Sequence, residues 1–259
     1  MTRLDPDTPI LVRGILKLAT KYQVDTVRSR VVQRMEEDWP TTPLAWLRLC
    51  HDEKLYNDGF TRYDTPKPGE FAEDKFPEPA SAIRLARDFD IPSILPAAYL
   101  KLLFADPTLD WDVIREKKET PYGRLLRSAR WRLLDQTDML RLAQGRTRLV
   151  SCLPNIHRAF MLGPRTCRDN ESDDDELSCH QIIEKRHNEF TAARYSSFWT
   201  GVQEAEKPDP IQVLHRLHDA ASSWKLCVSC TDLFRAKIAI EIKKIWDDLP
   251  RVFSLAAEP

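Results

Sequence analysis

The chain is poor in glycine, with 7 among 259 residues, and it has neither Asn-Gly turns nor alternating β-branched runs. Hairpins and sheets depend on such features, so an all-α fold is expected. No apolar run approaches the roughly 20 residues that span a bilayer, and the opening MTRLDPDTPI carries no apolar leader. The expectation is a soluble, intracellular protein of the cytoplasm or nucleus, away from membranes. Charge of one sign is missing too: 39 Lys+Arg against 40 Asp+Glu leave a net −1, so no global field draws the chain to nucleic acid or an anionic surface. Six cysteines are too sparse for a disulfide scaffold and read as free thiols, metal ligands or core fillers. HExxH, GxSxG and phosphate-binding glycine loops are absent, which removes the usual support for hydrolase and nucleotide chemistry. None of the six histidines sits beside a Ser or Cys in a nucleophile setting.

Helical period is what the chain does have. Leu11, Ile15, Leu18, Ala19 and Tyr22 fall on one helical stripe. Asp25 offers the N-cap of a second helix with the stripe Val27, Val31 and Met35, and WPTTP closes it before TPLAWLRLCHDEKL opens a third. The period fails from Tyr56 to Pro79, rich in Pro, Gly, Asp and Lys, which reads as a long loop. Helices resume at Ala80 and continue through LDWDVIREKKE, GRLLRSARWRLL and TDMLRLAQGRTRLVSCLPNIHRAFML. RDNESDDDE, Arg168 to Glu176, reads as a solvated acidic linker, and its Ser172 has the acidic context that acid-directed kinases favour. A long helical stretch from Ser178 follows, and Phe234, Ile238, Ile242, Ile245 and Leu249 form the stripe of the last helix. The chain thus divides into residues 1–56, a loop at 57–79, a helical block at 80–165, the linker at 166–176 and a C-terminal helical block at 177–259. An irregular array of helical hairpins is the expected architecture.

One phrase occurs twice. LKLATKYQVDTV (Leu16–Val27) and IRLARDFDIPSI (Ile83–Ile94) pair Leu16 with Ile83, Leu18 with Leu85, Ala19 with Ala86, Tyr22 with Phe89, Val24 with Ile91 and Val27 with Ile94. A small alanine lets a neighbouring helix approach and the aromatic fills the corner, so each copy is expected to be a helix–turn–helix packing corner. In the second copy Pro96 is expected to restart the helix as its first residue. Convergence of two amphipathic hairpins would produce the same pattern.

ILKLATKYQVDTVRSRVVQRM resembles the final helices of a BTB/POZ domain. DWPTT, PEPASAIRLARDFDIPSILPAAYLKL, LRLAQGRTRL and LCVSC…IWDDLPRVFSL are similar to blocks of the basidiomycete fungal BTB/POZ proteins that carry a helical C-terminal extension, PEPASAIRLARDFDIPSILPAAY being the most specific. The resemblance assigns residues 1–56 to the end of a BTB/POZ domain, and implies homodimerisation and adaptor function through a β-rich core upstream. Met1 lies fifteen residues before Leu16, so a chain lacking most of that core is expected. In the family, the stripe Leu11, Ile15, Leu18 and Tyr22 packs against the missing part; here it is expected to stand exposed and to favour self-association.

The expected function is therefore a non-enzymatic protein–protein interaction or adaptor protein, its protein partners unidentified. A nuclear, DNA-associated regulator is the alternative suggested by Arg124, Arg127, Arg130, Arg132, Arg141, Arg146 and Arg148 around Trp131, since Arg with an interleaved aromatic suits phosphate and base stacking. A solvated basic stripe on a helix explains the same residues. A thiol-redox enzyme is a third reading, resting on the C-x-x-C of Cys227 and Cys230. That spacing also suits two ligands of a structural zinc ion at about 2.3 Å each. Cys167 and Cys179, which bracket the acidic linker, are the expected third and fourth ligands, since cysteines in comparable places accompany the C-terminal pair in the resembling proteins. His215 and His218 are the rival pair, and four free thiols remain the alternative to any metal.

Overall fold

The computed structural model describes residues 3–63, 71–117, 127–161, 167, 178–186, 188–189 and 209–255, with the side chains of 58–63, 72 and 150–161 left aside. The described residues are all-helical and contain no strand; Asp110 and Ala129 form one isolated bridge. Two compact units result, Met1–Arg146 together with Leu249–Pro259, and Thr147–Asp248. The expected acidic linker and Ser172 lie, apart from Cys167, outside the described residues.

The first unit is built on α1 (Thr8–Lys21), α2 (Asp25–Asp38), α3 (Pro43–Tyr63), α4 (Pro79–Asp88), α5 (Leu95–Leu102) and α6 (Trp111–Lys117), with α7 (Gln136–Met161) beginning in it. α1 packs on α2 and α4, and α4 on α5. The repeated phrase has one structural cause. In each copy the helix ends in a left-handed residue, Gln23 at φ 54° and Asp90 at φ 52°. The next amide then reaches back five residues, Val24 to the Ala19 carbonyl and Ile91 to the Ala86 carbonyl, both at 2.9 Å. This is the helix-ending turn that leaves an apolar residue just beyond the cap. The two corners lie side by side: Arg28 Nη2 donates to the carbonyls of Phe89 and Asp90 at 3.0 and 3.1 Å, and Arg13 pairs with Asp88 at 2.6 Å.

Several local expectations are corrected. α2 starts at Asp25 itself, with Val24 at the cap position and no side-chain cap bond; Asp25 contributes only its charge to the first turn. A 3₁₀ turn (Pro92–Ile94) leads into α5, and Pro96 is the second residue of that helix. The loop expected at 57–79 is shorter, because α3 runs on to Tyr63 and a 3₁₀ turn forms at Ala72–Lys75. An established helix extends through indifferent residues at little cost. Phe71 and Phe76 are buried at the flanks of that turn, with the Tyr56 ring edge-on to Phe76 at 5.7 Å.

The expected helix over GRLLRSARWRLL is absent across its described part. Residues 127–130 are non-helical and only Trp131–Leu133 form a 3₁₀ turn. The amides of this segment are taken elsewhere: Ser128 donates to Glu73 at 2.8 Å, Ala129 to the Leu109 carbonyl at 3.4 Å, and Arg130 to Glu78, fully buried at the start of α4. Its carboxylate accepts from the amides of Ala80 (2.9 Å), Ser81 (2.7 Å) and Arg130 (3.1 Å), and an amide engaged there cannot also serve a helix. The Arg130 guanidinium, 10% exposed, meets Asp7 at 2.6 Å and Asp112 at 3.2 Å. Arg127 pairs with Glu53 and Arg132 with Asp110. These arginines organise the fold and do not form a helical basic stripe.

The second unit holds a helical turn sequence at 179–186, α8 (Pro210–Ala220) and most of α9 (Val228–Val252). Asp209 caps α8 by accepting the Ile211 amide at 2.9 Å. The expected stripe of the last helix is buried at all five positions, Phe234, Ile238, Ile242, Ile245 and Leu249.

Candidate metal centre and exposed apolar face

Three pieces of backbone deliver the four cysteines. Ser178 and Gln181 form a capping box, the Ser178 amide donating to Gln181 Oε1 at 2.8 Å and the Gln181 amide to Ser178 Oγ at 3.3 Å, which starts a helix with Cys179 in its first turn. The S-x-x-Q spacing of Ser178 and Gln181 is the signal in the sequence that marks this helix start. Farther on, a 3₁₀ turn at Ala221–Ser223 ends at Trp224, whose ring tilts against Phe234 at 5.2 Å. Lys225, left-handed at φ 57°, then redirects the chain so that Cys227 stands at the entry of α9 and Cys230 inside its first turn. The Thr231 amide closes that turn on the Cys227 carbonyl at 2.9 Å. Cys167 completes the set.

The four sulfurs lie within 4.8 Å of one another. Cys167 Sγ is 3.7 Å from Cys179 Sγ, 3.4 Å from Cys227 Sγ and 3.7 Å from Cys230 Sγ. None of the four is in a disulfide; Cys179 and Cys230 are buried, Cys167 and Cys227 half-buried. Backbone amides already point at sulfur: Cys227 donates to Cys179 Sγ at 3.3 Å and Cys230 to Cys227 Sγ at 3.4 Å. Burial, followed by the neighbouring thiols of Cys227 and Cys167, pushes the Cys230 thiol up. A dication would reverse this, because a coordinating thiol is deprotonated by the metal's own charge. The cluster can therefore hold a metal ion.

His215 and His218 lie apart from that set, grouped instead with Asp219. His218 Nδ1 is 3.0 Å from Asp219 Oδ1, and Arg235 Nε approaches its other nitrogen at 3.4 Å. A guanidinium at the ring nitrogen opposes a cation there, so the structure brings together the four cysteines and leaves the histidines to Asp219 and Arg235.

A second feature is the surface of α1. Val12, Leu16 and Ala19 are buried, whereas Leu11, Ile15, Leu18 and Tyr22 are exposed. The stripe read from the sequence thus stands bare, except for Ala19, and a neighbouring face enters the core. Val24 and Val27 continue the bare surface around the corner. Of the matched residues of the second copy, Leu85, Ile91 and Ile94 are fully covered and Phe89 is half-buried.

No protein-family model matches this chain, and no curated protein and no solved structure matches it either. Among the described residues no helix is long and apolar enough to cross a membrane.

Proposed function

We propose that this chain is a non-enzymatic protein-interaction module, of the adaptor kind its BTB/POZ resemblance implies, and that its C-terminal unit is organised by one structural zinc ion. Unequal burial of the two corners carries the interaction reading: Leu18, Val24 and Val27 are bare, whereas their matches Leu85, Ile91 and Ile94 are covered. Apolar surface of that extent on a soluble protein marks a site of contact.

Sulfur spacing supports the zinc. Tetrahedral coordination at about 2.3 Å from each sulfur places the sulfurs about 3.8 Å apart, close to the 3.4–3.7 Å around Cys167. Four thiolates would fill the coordination sphere and leave no position for water or substrate, which makes the ion structural and not catalytic. It would also tie Cys167, Cys179 and the start of α9 to one point, contributing directly to folding.

Two experiments test the two parts. Protein purified without chelator should contain close to one zinc per chain, lost when Cys227 and Cys230 become Ser and also when Cys167 and Cys179 do, and retained in the double His215→Ala, His218→Ala variant. Metal-free protein whose melting is indifferent to zinc would end that assignment. A photo-reactive residue at Leu18 should capture a protein in cell extract, and one at the exposed Glu37 should not. Equal yields at the two positions would refute the interaction reading.

A further inference from the structure

The bare face of α1 needs a cover, and we infer that the cover is a second copy of this chain, its α1 lying antiparallel along the first. The inference rests on the interaction reading above and names its partner.

Ile10, Leu11, Ile15, Leu18 and Tyr22 are between 41% and 65% exposed. At 100° per residue all five fall on one side of the helix. Together with Val24 and Val27 they present surface on the order of 600 Å². That reaches the top of the range a monomer leaves bare, roughly 300–600 Å², and approaches the roughly 800 Å² each partner contributes to a stable interface. Gly14 sits in the middle of this face, and a Cβ built on it would meet nothing within 4 Å. The face therefore has a notch with apolar side chains on either side. A twofold axis midway between Gly14 and Leu18 places each Leu18 in the notch of the other copy, which satisfies both by one contact and its symmetry mate. The same axis lays Tyr22 over Ile10.

Charge selects the antiparallel direction. Asp5 and Asp7 precede α1, and the exposed Lys17 and Lys21 end it. Side-by-side parallel pairing would set acid against acid and base against base. Antiparallel pairing brings Lys21 of each copy to the acidic start of the other, where the half-exposed Asp7 carboxylate has room for a second partner besides Arg130. It also sets the two helix dipoles antiparallel and side by side, their favourable sense.

Sedimentation of the full 259-residue chain should show twice the chain mass, falling to the single mass on dilution. Gly14→Glu and Leu18→Glu should each weaken association at least ~10-fold, and Lys21→Glu should weaken it in a salt-dependent way. Helix content and melting of the monomer should not fall, because Gly14 has open space around it and gains helix propensity on substitution, and Leu18 lies on the surface. As an arm independent of variant folding, a photo-reactive residue at Gly14 should give a chain-to-chain adduct mapping to the neighbourhood of Leu18. A chain that stays monomeric at all concentrations, a dimer that survives all three substitutions, or an adduct mapping elsewhere overturns the inference. If the monomeric chain still captures a different protein at Leu18, self-pairing falls and the interaction reading stands. Absence of any adduct at Leu18 removes both.

Discussion

Leu18 and Leu85 hold the same place in two copies of one corner, yet Leu18 is 57% exposed and Leu85 is 1% exposed. Burial and not motif sets what each is worth. Leu85→Ala should cost about 2–5 kcal/mol through lost transfer energy and a residual cavity. Leu18→Ala should stay within about 0.5 kcal/mol of the parent. Urea unfolding at protein concentrations low enough to keep the chain monomeric measures both. Equal losses would mean that the α1 face is covered within the chain.

Two helical glycines should respond in opposite directions. A Cβ on Gly14 meets open space, so Gly14→Ala should stabilise the monomer by up to about 1 kcal/mol through helix propensity. A Cβ on Gly145 runs into the ring of Phe253, itself fully buried and stacked on Tyr99 at 5.4 Å. Gly145→Ala should lose about 1–3 kcal/mol by overpacking despite the better helix former. Thermal melting of the pair decides the matter, and a stabilised Gly145→Ala would show that Phe253 can yield.

Arg130 faces Asp7, Asp112 and Ser81, beside the buried carboxylate of Glu78. Removing the guanidinium takes away its attraction for that carboxylate and its pairs with the half-exposed Asp7 and Asp112, so Arg130→Met should cost about 1–3 kcal/mol. It should also release the segment before α1, where Asp7 is anchored. Limited proteolysis near the N-terminus, faster in the variant, is the second readout. An unchanged melting curve would show that the Glu78 hydrogen bonds suffice alone.

Lys101 should give a signature in pH. It is buried against Glu53, which also pairs with Arg127. One carboxylate thus serves two cations, and the buried ammonium is the one that can give up its proton. Burial first, then Arg127, push Lys101 down to about 7, with Cys50 opposing. Unfolded Lys101 holds its proton to about 10.4, so between these values the unfolded chain binds more protons than the folded one. Stability should therefore rise with pH across that window, by at most ~1.4 kcal/mol per unit. Above the window the contribution is complete, and it is lost as pH falls through about 7. Lys101→Met should flatten the rise. Parallel curves of unfolding free energy for parent and variant would refute a depressed Lys101.

The corners were legible because their causes are local. A helix end, a left-handed residue and an apolar residue beyond it span Ala19 to Val24 or Ala86 to Ile91, and a short window of sequence contains all of it. The left-handed turn itself was hidden, since Gln23 and Asp90 occupy it in place of glycine. The Arg127–Leu133 region misled for the opposite reason. Its residues are good helix formers, but Glu78, 52 positions before Arg130, claims the Arg130 amide. Long-range bonds such as this one override local propensity, and nothing within the window announces them.

By itself the sequence determined the helical class, the repeated corner, the apolar α1 stripe and the C-x-x-C pair, because period, cap and spacing act over a few residues; that the stripe stands bare, and that Cys167 and Cys179 join the pair, was what the family resemblance implied. Only the tertiary structure decided which corner is covered. Leu85 and Leu18 carry the same side chain, and the difference lies in the helices that reach one and not the other. The same holds for the sulfurs. C-x-x-C brings Cys227 and Cys230 together through one helical turn, but Cys167 stands 3.4 Å from Cys227 across 60 positions of chain, a distance that folding alone can close.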